Sequence, residues 1–579
     1  MPKSITPQPL AVPTEGDSAF RWASVFLLVL AEFTLYAAGL FHGLVAEDYV
    51  FHSVHGMSIG TFWTSPIEGT AYWRPFSITA KYLLFDWFGE APSLWHLTNI
   101  ILHTAAVLLL FNVLLSVSRY LRTKKVAPAL MGTLLFQVHP ASVQNVSWVS
   151  GFSELICILS FLLVIKLALS VITAERTSPG DMIGVALATL AALLSKESAV
   201  AIVVVLPCLF LLISPGSGWK ERGQWVVKHC LRILGIVWGM TAVFLAFYWV
   251  VAGEELVEHL SASTPGVFSV GTRALAMIAV PTDALTVYSW TTWSPWIPAA
   301  IGLVLVSFLG FVVWKKYVDG VSWAALCVLT AGLMSPYVVG GYISLRLMNQ
   351  AILFLSLAAV ILLLRNTAWK DTAQGRGVIR GFVSVYLVVT AIFSFSAVLD
   401  WHVADRYGTA MRFAFEDFHD QTDQPAYAFA ALPARLRQAE ILGEPATDFH
   451  GQMRLDGIDT TLDLHAMLRI VLLERNAETA NVRISDVTEN SLVIQTHADN
   501  QLFLPGDIAG PQELPVGSIF LQGPYTLRVL KTVLNDRPVA LQVSAAAADL
   551  QALVFYDDVN QRFLYLDQYL GINEDQDHD

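Results

Sequence analysis

Long apolar runs dominate this chain of 579 residues, and they restrict its fold more than any other feature. A run of about 20 mostly apolar residues is long enough to cross the hydrocarbon core of a bilayer as a helix. Because 55% of the residues are hydrophobic and only 14% are charged, the composition excludes a soluble protein. The sequence predicts a polytopic α-helical membrane protein with about eleven transmembrane helices, near residues 22–41, 94–118, 126–139, 148–173, 182–195, 198–213, 231–252, 297–314, 321–340, 343–364 and 381–399.

Basic residues in the loops predict how these helices are oriented. Alternate loops hold fifteen Lys and Arg residues, whereas the loops on the opposite side hold five. Because cytoplasmic loops are enriched in these residues, the first set is predicted to be cytoplasmic, together with the amino-terminal tail, residues 1–21. We therefore expect an integral protein of a bacterial inner membrane. Its first outer loop, residues 42–92, and the region after residue 400 would face the periplasm or the cell exterior.

The region after residue 400 differs in composition from the rest of the chain. Counted from Asp400 onward, it holds 28 acidic and 12 basic residues, against 19 and 23 before it. The residues directly after 400 predict a short amphipathic helix that leads out of the last span. Short β-like runs, separated by Gly, Pro, Asn and Asp, follow it, so residues 400–570 are predicted to form an α+β, mainly β domain with an antiparallel sandwich, attached to a transmembrane domain over residues 22–399. The acidic tail, residues 571–579, is predicted to be disordered. The β-rich domain could stabilise the bundle, or it could bind a glycan or a membrane-protein partner.

Two adjacent carboxylates, Glu47 and Asp48, follow the first predicted helix, and two histidines, His52 and His55, come close behind them. The remainder of this loop is rich in aromatic residues, which predicts that it lies in the headgroup region. At that depth a carboxylate can meet both a lipid headgroup and a water-soluble acceptor, and it could act as a general base. The residues alone leave two other roles open, a polar helix end and a divalent-metal site that includes the histidines.

The five basic residues expected on the outer side call for an anionic partner. A guanidinium group binds phosphate through two parallel hydrogen bonds, so Arg74 and Arg346 are the first candidates for a phosphate site. Lys196 could bind phosphate or pair with its neighbour Glu197. The remaining two, Lys81 and Arg273, are expected to extend towards the headgroups.

Five stretches follow one another along the first part of the chain: "EDY", "YWRPFS", "LWHLTNIILHTAAVLLLFNVL", "LLFQVHPASVQNVSWVSGFSELICILSFLLV" and "LAALLSKESAVAIVVVLP". Their order and wording resemble the GT-C membrane glycosyltransferases, and within these the branch of the protein O-mannosyltransferases and the transmembrane TPR-containing O-mannosyltransferases. The resemblance covers residues 22–213, and "YISLRLMNQAILFLSLA" is more loosely similar to a later segment. The family's acidic pair is usually Asp-Asp or Asp-Glu, and this chain shows no TPR repeats.

This resemblance implies an inverting glycosyltransferase that moves a sugar from a polyprenyl-phosphate-linked donor to a protein, glycan or lipid acceptor on the outer face. It implies Asp48 or Glu47 as the base, with Arg74, Arg346 and Lys196 on the donor phosphate. No metal or other cofactor and no nucleic acid is expected. Two other classes stay open, a lipid or glycan transporter and a non-catalytic membrane assembly subunit that keeps the fold.

Further polar residues lie at the outer ends of the predicted helices. His139 could orient a sugar or a carboxylate, or pack as a core histidine. An ionisable side chain that faces lipid inside a span costs at least ~2.5 kcal/mol, so Glu154 is expected to face a cavity, towards sugar hydroxyls or Arg74, and Glu197 to line the same cavity. His96, Asn99 and His103 are spaced three and four residues apart, which predicts one helix face that hydrogen-bonds to neighbouring helices.

Overall fold

The computed structural model describes the greater part of the helical region and separate segments of the strand region. The described residues are 15–44, 58–66, 72–89, 91–121, 123, 125–174, 178–216, 218–262, 319–340, 348–365, 373–420, 426–429, 432–436, 439–440, 445–447, 453–455, 468–471, 474–476, 482–496, 502–503, 516–522, 525–533, 537–551, 553–557 and 560–570. Glu47, Asp48, His52, His55, Arg273 and Arg346 lie outside these residues.

Helices make up nearly all of the described chain before residue 421. They are α1 Glu15–Tyr36, α2 Ile59–Thr64, α3 Pro75–Phe88, α4 Pro92–Tyr120, α5 Ala127–Gln137, α6 Pro140–Ser147, α7 Phe152–Thr173, α8 Pro179–Leu193, α9 Ile202–Ile213, α10 Trp219–Ala262, α11 Gly320–Gly340, α12 Met348–Arg365 and α13 Ala373–Asp420. Several of them begin at a proline, a residue whose fixed backbone angle suits the first helical position.

Six segments of the described residues are long and apolar enough to cross a membrane. They are Ser18–Phe41, Pro92–Tyr120, Val149–Thr173, Trp219–Gly253, Met348–Arg365 and Ser384–Met411. The prediction of an integral membrane protein is therefore confirmed, whereas the described residues do not confirm eleven full spans. The apolar run near 126–139 forms a helix of 11 residues, Ala127–Gln137, which is about 16 Å long and too short to cross a core of about 30 Å by itself. The predicted span 297–314 lies outside the described residues.

The helices pack around α4, which contacts α1, α5 and α7, and around α12, which contacts α5 and α11. Phe161 of α7 and Phe354 of α12 meet edge to face, with their ring centroids 5.1 Å apart, in the largest apolar core. Gly132 allows α5 and α12 to approach closely, since an added Cβ would lie 2.3 Å from Val360 Cγ2. We call the end of the bundle at which α4, α7 and α12 begin the upper end, and the other the lower end.

The region after α13 contains the fifteen described strands, β1 to β15. They are Ala426–Phe429, Leu432–Leu436, Ala439–Glu440, Pro445–Thr447, Met453–Leu455, Leu468–Val471, Glu474–Asn476, Arg483–Ser485, Ser491–Gln495, Leu502–Phe503, Ile519–Gln522, Tyr525–Val533, Arg537–Ser544, Leu553–Asp557 and Arg562–Tyr565. One sheet, ordered β11-β12-β13-β9-β8, is antiparallel throughout, as predicted. The expectation of purely antiparallel pairing is wrong for β1, which pairs in parallel with both β6 and β14. Parallel pairs need long connections, and strand patterns alone do not reveal them.

Helix α13 connects the bundle to the strands. It has 48 residues and runs 20 residues beyond the predicted domain boundary at residue 400. Trp401 stacks on Trp148 at the upper end of the bundle, with ring centroids 6.0 Å apart, and Phe418 packs against Tyr565 of β15 at 5.0 Å. The last turns of α13 therefore belong to the core that the bundle shares with the strands.

Candidate functional site

Four charged side chains meet at the upper end of the bundle: Arg74, Glu154, Lys196 and Glu197. We call them the ion-pair cluster. Arg74 directly precedes α3, Glu154 lies in the first turn of α7, and Lys196 and Glu197 lie between α8 and α9. Four distant parts of the sequence thus contribute to one polar group at the ends of apolar helices.

Arg74 and Glu197 form the outer pair of the cluster. Arg74 Nε donates to Glu197 Oε1 at 2.9 Å, and its Nη2 donates to Oε2 at 2.9 Å, which is a bidentate arrangement. Their side chains are 21% and 24% exposed, so this pair lies at the mouth of the cluster. The ring of Tyr72 lies 4.3 Å from the Arg74 guanidinium carbon and covers one face of it.

Lys196 and Glu154 form the inner pair. The Lys196 ammonium group contacts a carboxylate oxygen of Glu154, and the two side chains are 11% and 1% exposed. A buried carboxylate is unfavourable without a cation, and Lys196 supplies that cation to Glu154. The cluster holds two positive and two negative charges, with the more exposed pair outside the buried one.

The pairing differs from the pairing predicted. The sequence offered Glu197 as one possible partner of Lys196, and Arg74 as one possible partner of Glu154. The structure instead pairs Lys196 with Glu154 and Arg74 with Glu197. The backbone explains the exchange. Lys196 is extended, with φ −162° and ψ 139°, and Glu197 starts a 3₁₀ turn, Glu197–Ala201. Successive side chains on an extended backbone point to opposite sides, so these neighbours reach different partners.

Backbone and hydroxyl groups hold the cluster in place. The Phe76 amide donates to the Leu194 carbonyl at 3.0 Å, and the Ser77 hydroxyl donates to the Ser195 carbonyl at 3.1 Å. Ser153 Oγ donates to Ser77 Oγ at 3.0 Å. The first turn of α3 is thereby joined both to the α8–α9 connection and to α7, which fixes Arg74 relative to Glu197.

The first turn of α12 adds two amides. Gln350 Nε2 donates to Ser198 Oγ at 2.8 Å, next to the cluster. Asn349 Oδ1 accepts a hydrogen bond of 3.0 Å from Ser142 of α6. Both amides are almost fully buried. Sequence analysis missed these amides and the hydroxyl groups of Ser77, Ser142, Ser153 and Ser198. For the amides and Ser198, the signal that could have found them is a run of polar residues, "MNQ" or "SKES", that interrupts an apolar segment.

Several buried polar atoms at this end have no protein hydrogen-bond partner among the described residues: His139 Nε2, Asn349 Nδ2 and Glu154 Oε1. Burial lowers the pKa of His139 to about 3, so its imidazole is neutral. Since Nδ1 accepts from the Ala141 amide at 3.1 Å, the proton is on Nε2. His139 and Asn349 therefore offer two donors, and Glu154 offers an acceptor, to any polar group that enters.

The predicted polar face of α4 is buried, as expected. Asn99 Nδ2 donates to the Trp148 carbonyl at 2.8 Å, and His96 Nε2 lies 3.0 Å from the Gly43 carbonyl oxygen. His103 Nδ1 lies 2.6 Å from Glu32 Oε1 inside the bundle. These contacts join α4 to its neighbours. Lys81 was expected to reach the headgroups, but it is 8% exposed, with its amine 6.0 Å from the Phe152 ring centroid.

No group of three or more His, Cys, Asp or Glu side chains within the described part of the chain is arranged to hold a metal ion. The possible metal ligands Glu47, Asp48, His52 and His55 lie outside that part. The candidate phosphate ligand Arg346 does so as well. The described site therefore consists of the ion-pair cluster, the serines, and the amides and histidine around it.

Comparison with known proteins gives one informative match. A stretch of 147 residues is 30% identical to part of the protein O-mannosyl-transferase Tmtc1 of Drosophila melanogaster. The stretch is 24% of this chain and covers only 16% of the length of that relative. No protein-family model matches the chain. The similarity supports a membrane protein that resembles glycosyltransferases, and nothing narrower.

Proposed function

We propose that this chain is an inverting GT-C-type glycosyltransferase that uses a polyprenyl-phosphate-linked sugar as donor. The observation that carries the proposal is the ion-pair cluster, which places two cations at one end of an apolar bundle. A lipid-linked sugar phosphate has a matching form, with an apolar chain for the membrane and an anionic phosphate for the end of the bundle. The short similarity to a protein O-mannosyl-transferase supports the same class of reaction.

In the proposed reaction an acceptor hydroxyl oxygen attacks the anomeric carbon of the donor sugar. The bond between this carbon and the phosphate oxygen breaks, and the electron pair leaves with the polyprenyl phosphate. The hydroxyl proton passes to a carboxylate, Asp48 or Glu47, as general base. The leaving phosphate gains negative charge in the transition state, and cations placed beside it lower the barrier.

Arg74 and Lys196 are the proposed phosphate ligands, with Arg346 as a third. Glu197 forms an ion pair with the Arg74 guanidinium group, and Glu154 with the Lys196 ammonium group. A donor phosphate would compete first with Glu197, because that pair is the more exposed one. Glu154 would keep Lys196 oriented while Glu197 is displaced.

The sugar itself would be bound by the neutral groups. His139 Nε2 and Asn349 Nδ2 are buried donors without protein partners among the described residues. A buried donor that lacks a partner costs about 1–3 kcal/mol, and a sugar hydroxyl would satisfy it. Hydroxyl groups accept as well as donate, so the same sugar could use Glu154 Oε1 as its acceptor.

The proposal is tested with purified full-length protein, a panel of polyprenyl-phosphate sugars and a hydroxyl acceptor mixture, with released polyprenyl phosphate as the readout. We expect Asp48→Asn or Glu47→Gln to reduce turnover about 10²-fold or more, whichever is the base, since a general base contributes about 10² to 10⁴. Arg74→Gln should instead raise the donor KM. The matched control is Arg232→Gln, an exposed arginine of α10.

The double variant Glu47→Gln, Asp48→Asn tests both carboxylates together. Unchanged turnover, at wild-type expression and unfolding midpoint, would exclude Glu47 and Asp48 as the general base. Loss of activity with a chelator, restored by a divalent metal, would favour the alternative with His52 and His55. If none of the donors is consumed by well-folded protein, the transporter and assembly-subunit readings gain instead.

A further inference from the structure

Three cations from three helices lie near one another at the lower end of the bundle, far from the ion-pair cluster. They are Arg21 of α1, Arg119 of α4 and Lys166 of α7. Arg119 is close enough to both of the others for their positive charges to repel. Lys166 is tied to the same part of α4, since its Nζ donates to Ser116 Oγ at 2.9 Å, one turn before Arg119.

These three cations have no carboxylate partner among the described residues, whereas other cations of the bundle do. Arg74, Lys196 and Arg222 each form an ion pair with an acidic side chain. Arg119 has only a weak bond to a carbonyl oxygen, from Nε to Leu115 at 3.3 Å. Positive charges gathered without acidic partners favour an anion as their missing partner.

Apolar side chains near the three cations are exposed on the surface of the bundle. Trp22 is 72% exposed next to Arg21, and Leu163 is 41% exposed one turn from Lys166. Lys166 lies seven residues before the end of α7, about 10 Å from it along the helix axis. A small soluble anion would leave these apolar side chains unused, but a lipid would cover them with an acyl chain.

We propose that Arg21, Arg119 and Lys166 form a binding site for the phosphate of an anionic phospholipid on the outer surface of the bundle between α1, α4 and α7. The phosphate lies beside Arg119, with Arg21 on one side of it and Lys166 on the other. One acyl chain runs along α7 over Leu163. Basic groups between transmembrane helices are suited to anionic headgroups, and each contributes about 1 kcal/mol, or about fivefold in affinity.

Native mass spectrometry of the detergent-purified full-length protein tests this site. Binding of dioleoyl phosphatidylglycerol is compared with binding of dioleoyl phosphatidylcholine. We expect the wild type to prefer the anionic lipid, and each of Arg21→Gln, Arg119→Gln and Lys166→Gln to weaken that preference about fivefold. Arg119→Lys keeps the charge and should keep most of the preference, which separates the loss of charge from a folding defect.

The matched control removes three other cations at the same end of the bundle, Lys220, Lys228 and Arg232, which are exposed on α10. Their triple Gln variant should retain the preference for the anionic lipid; an equal loss would show a general effect of net charge and overturn the site. A wild type that binds both lipids equally would overturn it too. Competition by inorganic phosphate as effective as that by the lipid would show a free-anion site instead of a lipid site.

Discussion

Glu154 is the residue whose surroundings constrain the cluster most. Its side chain is 1% exposed, and Lys196 is its cationic partner. Burying both charges costs several kcal/mol for each ion, and their attraction offsets this cost only while both are present. Removing one partner is therefore far more harmful than removing both.

Lys196→Met should lower the free energy of unfolding by about 3–5 kcal/mol, because it leaves an unpaired carboxylate in the interior. The double variant Lys196→Met, Glu154→Met should recover most of that loss. Thermal unfolding of the detergent-solubilised variants in a double-mutant cycle measures both. Arg74→Met serves as the comparison, since its more exposed pair should contribute less. A double variant as unstable as Lys196→Met alone would show that the pair is not the source of the effect.

At the scale of single elements, the start of α11 is held by a capping interaction that depends on pH. Asp319 precedes the helix, and its carboxylate accepts from the Ser322 amide at 2.9 Å and from Arg222 Nη2 at 2.7 Å. Burial alone would raise the pKa of Asp319, but the hydrogen bonds from Ser322 and Arg222 outweigh it and hold the pKa below its ordinary value.

A depressed carboxylate pKa stabilises the fold above the ordinary value of about 3.9, and this stabilisation is lost as the pH falls through the lower folded value. Asp319→Asn keeps a side-chain oxygen for the Ser322 amide but removes the negative charge that faces Arg222. It should therefore lower the unfolding midpoint at neutral pH, and the gap from wild type should narrow below about pH 4. Asp181→Asn, in the first turn of α8, is the control. A gap that stays constant down to acid pH would contradict the assignment.

Prediction from the sequence succeeds for secondary-structure elements that the residues of one segment determine by themselves. Apolar length gives the helices, because a helix satisfies its own backbone in lipid. Alternation gives seven of the eight described strands after residue 482, all but Leu502–Phe503. The short strands between residues 426 and 476 were missed, since their pairings join residues far apart in the chain. The same limit applies to the site. Sequence analysis identified the four residues of the ion-pair cluster because charged side chains are unusual at the ends of apolar helices. Their pairing could not be predicted, because it depends on the extended backbone of Lys196 between α8 and α9.

The whole molecule has an asymmetric distribution of charge, and its orientation can be tested directly. Cys327 is the exposed cysteine among the four, so it is first replaced by alanine. In that background Glu489→Cys, near β9, should react with a membrane-impermeant thiol reagent in intact cells, because the excess of loop Lys and Arg predicts an outer location. Lys228→Cys, on α10, should react only after lysis. The reverse pattern would invert the orientation and move the proposed chemistry to the cytoplasm.

Helix α13 passes without interruption from the bundle to the strands, and its 48 residues amount to a rod of about 70 Å. Each residue of an α-helix rotates the chain by about 100° about the helix axis. The number of residues between Trp401 and Phe418 therefore sets the rotation of the β-region about the axis of α13. One added or deleted residue would rotate that region by more than a quarter of a turn about the helix axis. Adding or deleting seven residues, close to two full turns, would leave its rotation almost unchanged. Chain length along this helix thus acts as an angular setting, and only changes close to whole turns preserve it.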